Sequence, residues 1–287
     1  MKIGIRIPGA LREMKVEALA GWLSASGFKA LDLSVATAEA KRACEAADIA
    51  IGTVDARGGS PITKDAAEQR KAVEGLKEIL SDIAAHGGRT LFTTLSPADR
   101  TMPRAESFAI WKEVYPEIVA HAEKSGVHIA VEPYPGGAPH YPNLGCSPET
   151  WRAMFSAIPS PHLGMCFDPS HMVRMGIDYM RVLREFPDRV RHVHAKDCEI
   201  LSDGLYEFGN IGQSFGRRYR FGEGWWRYTI PGYGEVNWGR FLARLEETGY
   251  DGILSIELED HRYSGTEALE KEGLLAAKRH LEQYVRR

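Results

Sequence analysis

The chain has 287 residues, 44% of them hydrophobic and 26% charged. Lys and Arg number 36 against 39 Asp and Glu, a formal net charge of -3. Whole-chain disorder is excluded, and the balanced charge gives no general electrostatic reason to bind nucleic acid or an anionic membrane. The cysteines Cys44, Cys146, Cys166 and Cys198 are far apart with no CxxC pair. That argues against a disulfide scaffold and against a cysteine zinc site. The opening MKIGIRIPGALREMK turns polar too early for a secretion signal, and no apolar run approaches the ~18–20 residues that span a bilayer. A cytoplasmic location is the default expectation.

Short β-branched runs alternate with longer segments of helical period, which predicts βα units and a parallel sheet. The first run is KIGIRI (Lys2 to Ile7), followed by a helix over 15–26 that Gly27 stops. ALDL (Ala30 to Leu33) precedes an Ala-rich helix reaching Asp48. IAIGTV (Ile49 to Val54) precedes a polar loop and a long helix over 65–86, ended by Gly87 and Gly88. TLFTTL (Thr90 to Leu95) precedes a helix over 105–125. Then come VHIAVE (Val127 to Glu132), LGMCFD (Leu163 to Asp168), VRHVHA (Val190 to Ala195) and ILSIELE (Ile253 to Glu259), with a closing helix over 266–287.

Eight such units in this length predict a single α/β domain over 1–287, a (β/α)8 TIM barrel. An open doubly wound sheet is the runner-up, disfavoured because no GxGxxG follows the first strand. Two stretches break the rhythm. Tyr134 to Pro148 is rich in Pro and Gly. Ser202 to Gly234, after the seventh strand, reads as a long loop carrying many aromatics and the arginines Arg217, Arg218, Arg220 and Arg227. Loops this long inside compact domains are usually functional.

In such a barrel, side chains at the C-terminal ends of strands converge. The last four strands end in polar groups able to ligate a metal: Glu132; Asp168 and His171; His192 and His194; Glu257 and Glu259. Strand alternation puts His192 and His194 on one face, and likewise Glu257 and Glu259. Each signal has a plain alternative. A strand-end Glu can be a surface charge, a His-x-His strand can be a core pair, and Asp168 before Pro169 also fits a helix cap. The joint pattern on consecutive strands outweighs them. Carboxylates crowded around one imidazole repel unless a divalent cation joins them, and oxygen-rich ligands favour Mn2+, Mg2+ or Co2+ over a thiolate-type zinc site.

VEPYPGG, FDPSH, HVHAKD, PGYGEVNW and SIELED, in this order and spacing, resemble the xylose isomerase-like TIM barrel superfamily. Within it they resemble the sugar phosphate isomerase/epimerase branch, with its ketose 3-epimerases, hydroxypyruvate isomerases and inosose isomerases and dehydratases. The resemblance covers nearly the whole chain and is strongest from Val127 to Asp260. It implies a metal held by Glu132, Asp168, His194 and Glu257, most readily Mn2+, with Mg2+, Co2+ or Zn2+ as alternatives. It also implies that His171 and Arg227 contact the substrate. One departure stands out: the ketose 3-epimerases carry Gly-Glu or Ser-Glu after the seventh-strand histidine, where this chain has Ala195-Lys196-Asp197.

The implied chemistry is a divalent-metal-dependent isomerase or epimerase of a ketose-type sugar. Glu132 and Glu257 act as the acid/base pair on either side of an enediolate. The alternative is a lyase or dehydratase acting on an inosose or a 3-keto glycoside through the same first proton abstraction. An endonuclease IV-like nuclease needs more strand-end histidines and a basic face. A non-catalytic binding module does not explain the intact ligand set. The expected partners are a small carbohydrate and further copies of the chain, as a dimer or tetramer, with no nucleic acid and no membrane. The long loop reads as a lid or an oligomer contact, and Lys196 as a structural pair with Asp197 in preference to an electrophilic group.

Overall fold

The computed structural model describes residues 1–216 and 220–285. Its strands, in chain order, are β1 (Lys2–Arg6), β2 (Ala30–Leu33), β3 (Ala50–Asp55), β4 (Thr90–Thr93) and β5 (His128–Val131). After these come β6 (Leu163–Phe167), β7 (Val190–Ala195), β8 (Asp197–Ile200), β9 (Trp226–Thr229) and β10 (Ile253–Glu257). Its helices are α1 (Val16–Ala25), α2 (Ala38–Ala46), α3 (Ala66–Ala85), α4 (Arg104–Ser125) and α5 (Pro148–Ala157). The rest are α6 (Pro169–Arg174), α7 (Tyr179–Glu185), α8 (Ser202–Phe208), α9 (Trp238–Glu247) and α10 (Glu267–Leu281).

β1 to β7 and β10 form a closed, eight-stranded parallel barrel. β10 completes it by pairing with β1, Ile5 opposite Ile256, and with β7, Ser255 opposite His194. The eighth predicted strand is therefore the tenth in chain order, because the segment between β7 and β10 builds strands of its own. The closing helix ends at Leu281, and Arg286 and Arg287 lie outside the described residues. No helix among the described residues is long and apolar enough to cross a membrane.

Local chemistry sets the helix starts. The Asp65 carboxylate accepts from the N–H groups of Ala67 and Glu68 and opens α3. α3 then buries Leu76, Ile79, Leu80 and Ile83, the one-face spacing of an amphipathic helix. Each such side chain contributes about 1.5–3 kcal/mol when fully buried. α5 opens with a reciprocal Ser147–Thr150 cap and Pro148 in its first turn.

The alternation of each strand divides the core. The odd residues Ile3, Ile5, Ile129, Met165, Phe167 and Val193, with Leu254 and Ile256 of β10, belong to the main apolar core between sheet and helices. The opposite faces carry a separate small cluster, Phe92, Ala130 and Cys166. Ala130 shares its strand face with Glu132, and Cys166 with Asp168. This inner cluster of modest side chains leaves the polar strand ends together above it.

The stretch expected to be a continuous loop, Ser202 to Gly234, is partly regular. It holds α8, a 3-10 turn and β9, and β9 pairs antiparallel with β8, Cys198 opposite Tyr228 and Glu199 opposite Arg227. The ribbon forms because its alternation is amphipathic: Trp226 and Tyr228 bury with Cys198 on one face. Arg217, Arg218 and Tyr219 lie outside the described residues.

Candidate metal centre and active site

Glu132 and Asp168 follow β5 and β6 directly, His194 lies in β7, and Glu257 ends β10. One ligand atom from each of these four residues lies within 4.8 Å of the other three. His194 Nδ1 stands 2.7 Å from Glu132 Oε1 and 3.2 Å from Glu257 Oε2. Glu132, Asp168 and His194 are buried. The structure thus brings together the four residues that the family resemblance singled out.

Asp168 shows how one residue does two jobs. It caps α6: its Oδ1 accepts from Ser170 N at 2.8 Å, with Pro169 at the first helical position. Its other oxygen, Oδ2, is buried without a hydrogen bond. A capping role and a ligand role are therefore compatible. A buried carboxylate oxygen with no hydrogen bond, held only by its ion-pair contacts with Lys196 and His171, among two more carboxylates and an imidazole fits a hard to borderline divalent cation. Glu132, Asp168, His194 and Glu257 are the residues that would hold it.

The electrostatics agree. Burial and the neighbouring Glu257 push the Glu132 carboxyl up, but hydrogen bonds with His171 and His194 outweigh them and hold it below the usual range. Burial likewise opposes ionisation of Glu257, yet Lys196 and His194 keep it well below the usual range. Both carboxylates are thus held ionised, as ligands and proton acceptors must be.

The surrounding shell is charged and cross-linked. Lys196 continues the inward face of His192 and His194, and its Nζ lies 2.6 Å from Glu257 Oε2, 3.2 Å from Glu259 Oε2 and 3.2 Å from Asp168 Oδ2. Burial works against this ammonium, but Asp168, Glu257 and Glu259 keep it firmly protonated. The expected Lys196–Asp197 pair does not form, because adjacent strand residues point to opposite faces. Asp197 instead accepts from Cys198 N, Gly232 N, Val236 N and Trp238 Nε1. On the other flank Arg6 bridges Glu257, at 3.3 Å, and Asp55, at 2.6 Å.

His171 Nε2 faces the cluster, 3.4 Å from Asp168 Oδ2 and 3.7 Å from Glu132 Oε1. Its Nδ1 meets Tyr228 Oη at 2.5 Å, and Arg174 donates to the same hydroxyl at 3.1 Å. Arg227, expected at the substrate, lies one residue out of phase with Trp226 and Tyr228. Its Nε donates to Glu199 across the ribbon at 2.6 Å. The arginine on the site side of the ribbon is Arg174, stacked over Trp226 at 4.0 Å and paired with Glu223 at 3.3 Å. A cleft of about 460 Å³ lies over the cluster, walled by Tyr134, His171, Lys196, Trp226 and Tyr228. A polar cavity of about 280 Å³ flanks the opposite side, beyond Arg6 and Phe92.

One inner residue escaped the sequence reading. Asp32 of β2 is buried, with Oδ2 3.1 Å from His192 Nε2 and 3.7 Å from His194 Nε2. Its signal was a charged residue inside the apolar run ALDL. Lys196, expected to pair with Asp197, instead joins the cluster one alternation step beyond the two histidines.

The family model for xylose isomerase-like TIM barrels matches residues 10–283. Over 95 residues the chain is 33% identical to an inosose dehydratase of Clostridium perfringens, a stretch covering 33% of this chain and 30% of that one. The chain spans about half, or less, of the length of the curated relatives it matches. It superposes on a D-psicose 3-epimerase over 99% of both chains, with TM-score 0.73 and 16% identity. It superposes on the IolI protein, solved with a zinc atom, over 99% of this chain and 96% of the other, with TM-score 0.68 and 14% identity. At such identities the structural likeness is one of fold. The barrel and the full-length family match together place this chain in the xylose isomerase-like TIM barrel family.

Proposed function

We propose that the protein is a divalent-metal-dependent isomerase or epimerase that moves a proton at the carbon beside the carbonyl of a ketose-type sugar. The observation that carries this reading is the convergence of Glu132, Asp168, His194 and Glu257 within 4.8 Å at the barrel mouth. When bound there, a divalent ion, Mn2+ by the oxygen-rich donor set, supplies Lewis-acid stabilisation of negative charge on substrate oxygens.

The chain's own residues do the rest. Glu132 and Glu257 come from barrel strands separated by β6 and β7 and enter the site from two sides. Both are held as carboxylates, so each can take a proton from one face of a substrate carbon and the other can return one. Returning it to the same carbon gives epimerisation; returning it to the next carbon gives isomerisation. His171 orients the substrate through Nε2, its ring fixed by Tyr228. Tyr134, Trp226 and Tyr228 wall the cleft and exclude water from the reacting carbon. Tyr206, Ile211 and Phe215 are between 85% and 91% accessible, and we expect copies of the chain to associate through these exposed apolar side chains.

A second reading, dehydration of an inosose or elimination from a 3-keto glycoside, is favoured by the local identity with inosose dehydratase. It shares the first proton abstraction. One experiment tests both. The Mn2+-loaded protein is given free ketoses, inososes and 3-keto sugars in deuterium oxide and followed by proton NMR. Loss of the C–H signal beside the carbonyl, abolished by EDTA, is the expected result. Deuterium on a new stereocentre indicates an epimerase, deuterium on the neighbouring carbon an isomerase, and a new enone signal a dehydratase. A protein that binds Mn2+ but exchanges no proton in any member of the panel overturns the proposal.

A further inference from the structure

We infer that Lys196 is a catalytic residue: its ammonium donates a hydrogen bond to the substrate oxygen that gains negative charge when the neighbouring carbon loses its proton. The inference rests on the proposed function above and adds to it a group beyond the four metal ligands.

The geometry makes the case. His192 and His194 of β7 and Lys196, the residue just beyond it, are spaced by two, so their side chains rise in one column from the barrel interior to its mouth. Lys196 is the uppermost, and it lines the 460 Å³ cleft together with Glu132, His171 and Tyr228. The side chain is only 2% exposed. Its ammonium sits over the Tyr228 ring, with Nζ 4.5 Å from the ring centre. Burying an ammonium is costly, and a well-packed apolar side chain serves stability better at such a place. A lysine here therefore points to use.

The contacts aim that use at the reacting centre. Nζ and His171 Nε2 lie 3.3 Å apart, and both approach the same oxygen, Asp168 Oδ2, at 3.2 and 3.4 Å. That oxygen has no hydrogen bond. On the other side of the same ring, His171 Nδ1 meets Tyr228 Oη at 2.5 Å. Lys196, His171, Tyr228 and Arg174 thus form one ordered chain of donors and acceptors along the cleft wall. The same ammonium holds Glu257 at 2.6 Å, so the general base and the cation that offsets the developing charge are fixed relative to each other.

Threonohydroxamate, a four-carbon sugar hydroxamate that mimics an enediolate, is the probe. Its affinity, and the affinity for Mn2+ by competition with a chelator, are measured for the wild type, Lys196→Met and Lys196→Gln. The expected result is an affinity for the hydroxamate lowered about 100-fold in Lys196→Met. Affinity for Mn2+ stays within about threefold. Lys196→Gln, which keeps a donor but no charge, serves where the methionine variant fails to fold and shows the same direction. Unchanged hydroxamate binding overturns the inference. A fall in Mn2+ affinity that accounts for the whole loss also overturns it, since Lys196 then acts only through Glu257. A wild type that binds Mn2+ but not the hydroxamate sinks the proposed function itself, an outcome visible without any variant.

Discussion

Asp32 stands behind His194: its Oδ2 lies 3.7 Å from His194 Nε2, while the Nδ1 of the same ring faces Glu132 and Glu257. The other carboxylate oxygen accepts from Thr53 N at 2.8 Å, and Oδ2 also meets His192 Nε2 at 3.1 Å. Nε2 makes no hydrogen bond, and Asp32 is the anion it faces; were Nδ1 to ligate a metal, the ring proton would lie on that Nε2 side. Such carboxylate–histidine arrangements raise ligand basicity and hold the ring. Asp32→Asn keeps the shape and removes the charge. Its Mn2+ affinity should fall about 10- to 100-fold by chelator competition. An affinity equal to wild type would show that β2 plays no part in the centre.

Room for Asp32 comes from Gly52 of β3. A Cβ there stands 2.0 Å from Asp32 Oδ1, a separation no real contact allows. Gly52→Ala should cost about 1–3 kcal/mol in denaturant unfolding and weaken Mn2+ binding along with Asp32→Asn. Gly75, in the middle of α3, has nothing within 4 Å of its Cβ position. Gly75→Ala should instead stabilise the protein by about 0.5–1 kcal/mol and leave metal binding alone. Equal effects of the two substitutions would refute the close approach between β2 and β3.

The carboxylates Glu132 and Glu257 are distinguishable from each other by test. Glu132→Gln and Glu257→Gln should each lower turnover by at least about 10²-fold, as expected when a general acid or base is lost. Glu257→Gln carries a second cost, because Arg6 and Lys196 both lose an anionic partner. It should therefore also lower the thermal midpoint, while Glu132→Gln leaves the Arg6 and Lys196 pairs intact. A glutamine variant with wild-type kcat removes that residue from the proton transfer.

The barrel was legible because its evidence is periodic. Eight apolar runs with intervening helices appear in the chain as they do in space, and the polar strand ends of the last four fall at one rim because all barrel strands run the same way. What stayed hidden depended on alternation or on pairing over long separations. The phase of a strand gives Lys196 to the cluster and Asp197 to the outer wall, although the two are neighbours. The phase of the ribbon gives Tyr228 to the site and Arg227 to Glu199. That ribbon could not be read beforehand, since β8 and β9 pair across an excursion of 25 residues, Ile200 to Trp226, whose composition resembles a loop. Asp32 meets His192 across 160 positions, and no local pattern announces such a contact.

Asp260, just beyond β10, ties the ribbon to the barrel and makes that tie sensitive to acid. Its buried carboxylate accepts from Ile230 N at 3.1 Å, directly after β9, and from Arg262 Nη2 at 2.6 Å. Burial pushes the Asp260 carboxyl up, but Arg262 and the backbone donors outweigh it and hold the group below the usual range. A carboxyl depressed in the folded state contributes stability above its unfolded pKa and loses it as pH falls through the folded value. The contribution is therefore whole at neutral pH and declines below about pH 4. Asp260→Asn should lower the thermal midpoint at pH 7, and the gap to wild type should narrow as pH falls from 5 toward 3. Parallel curves over that range would mean that Asp260 titrates alike in the folded and unfolded chain, so that neither Arg262 nor the Ile230 amide holds it ionised.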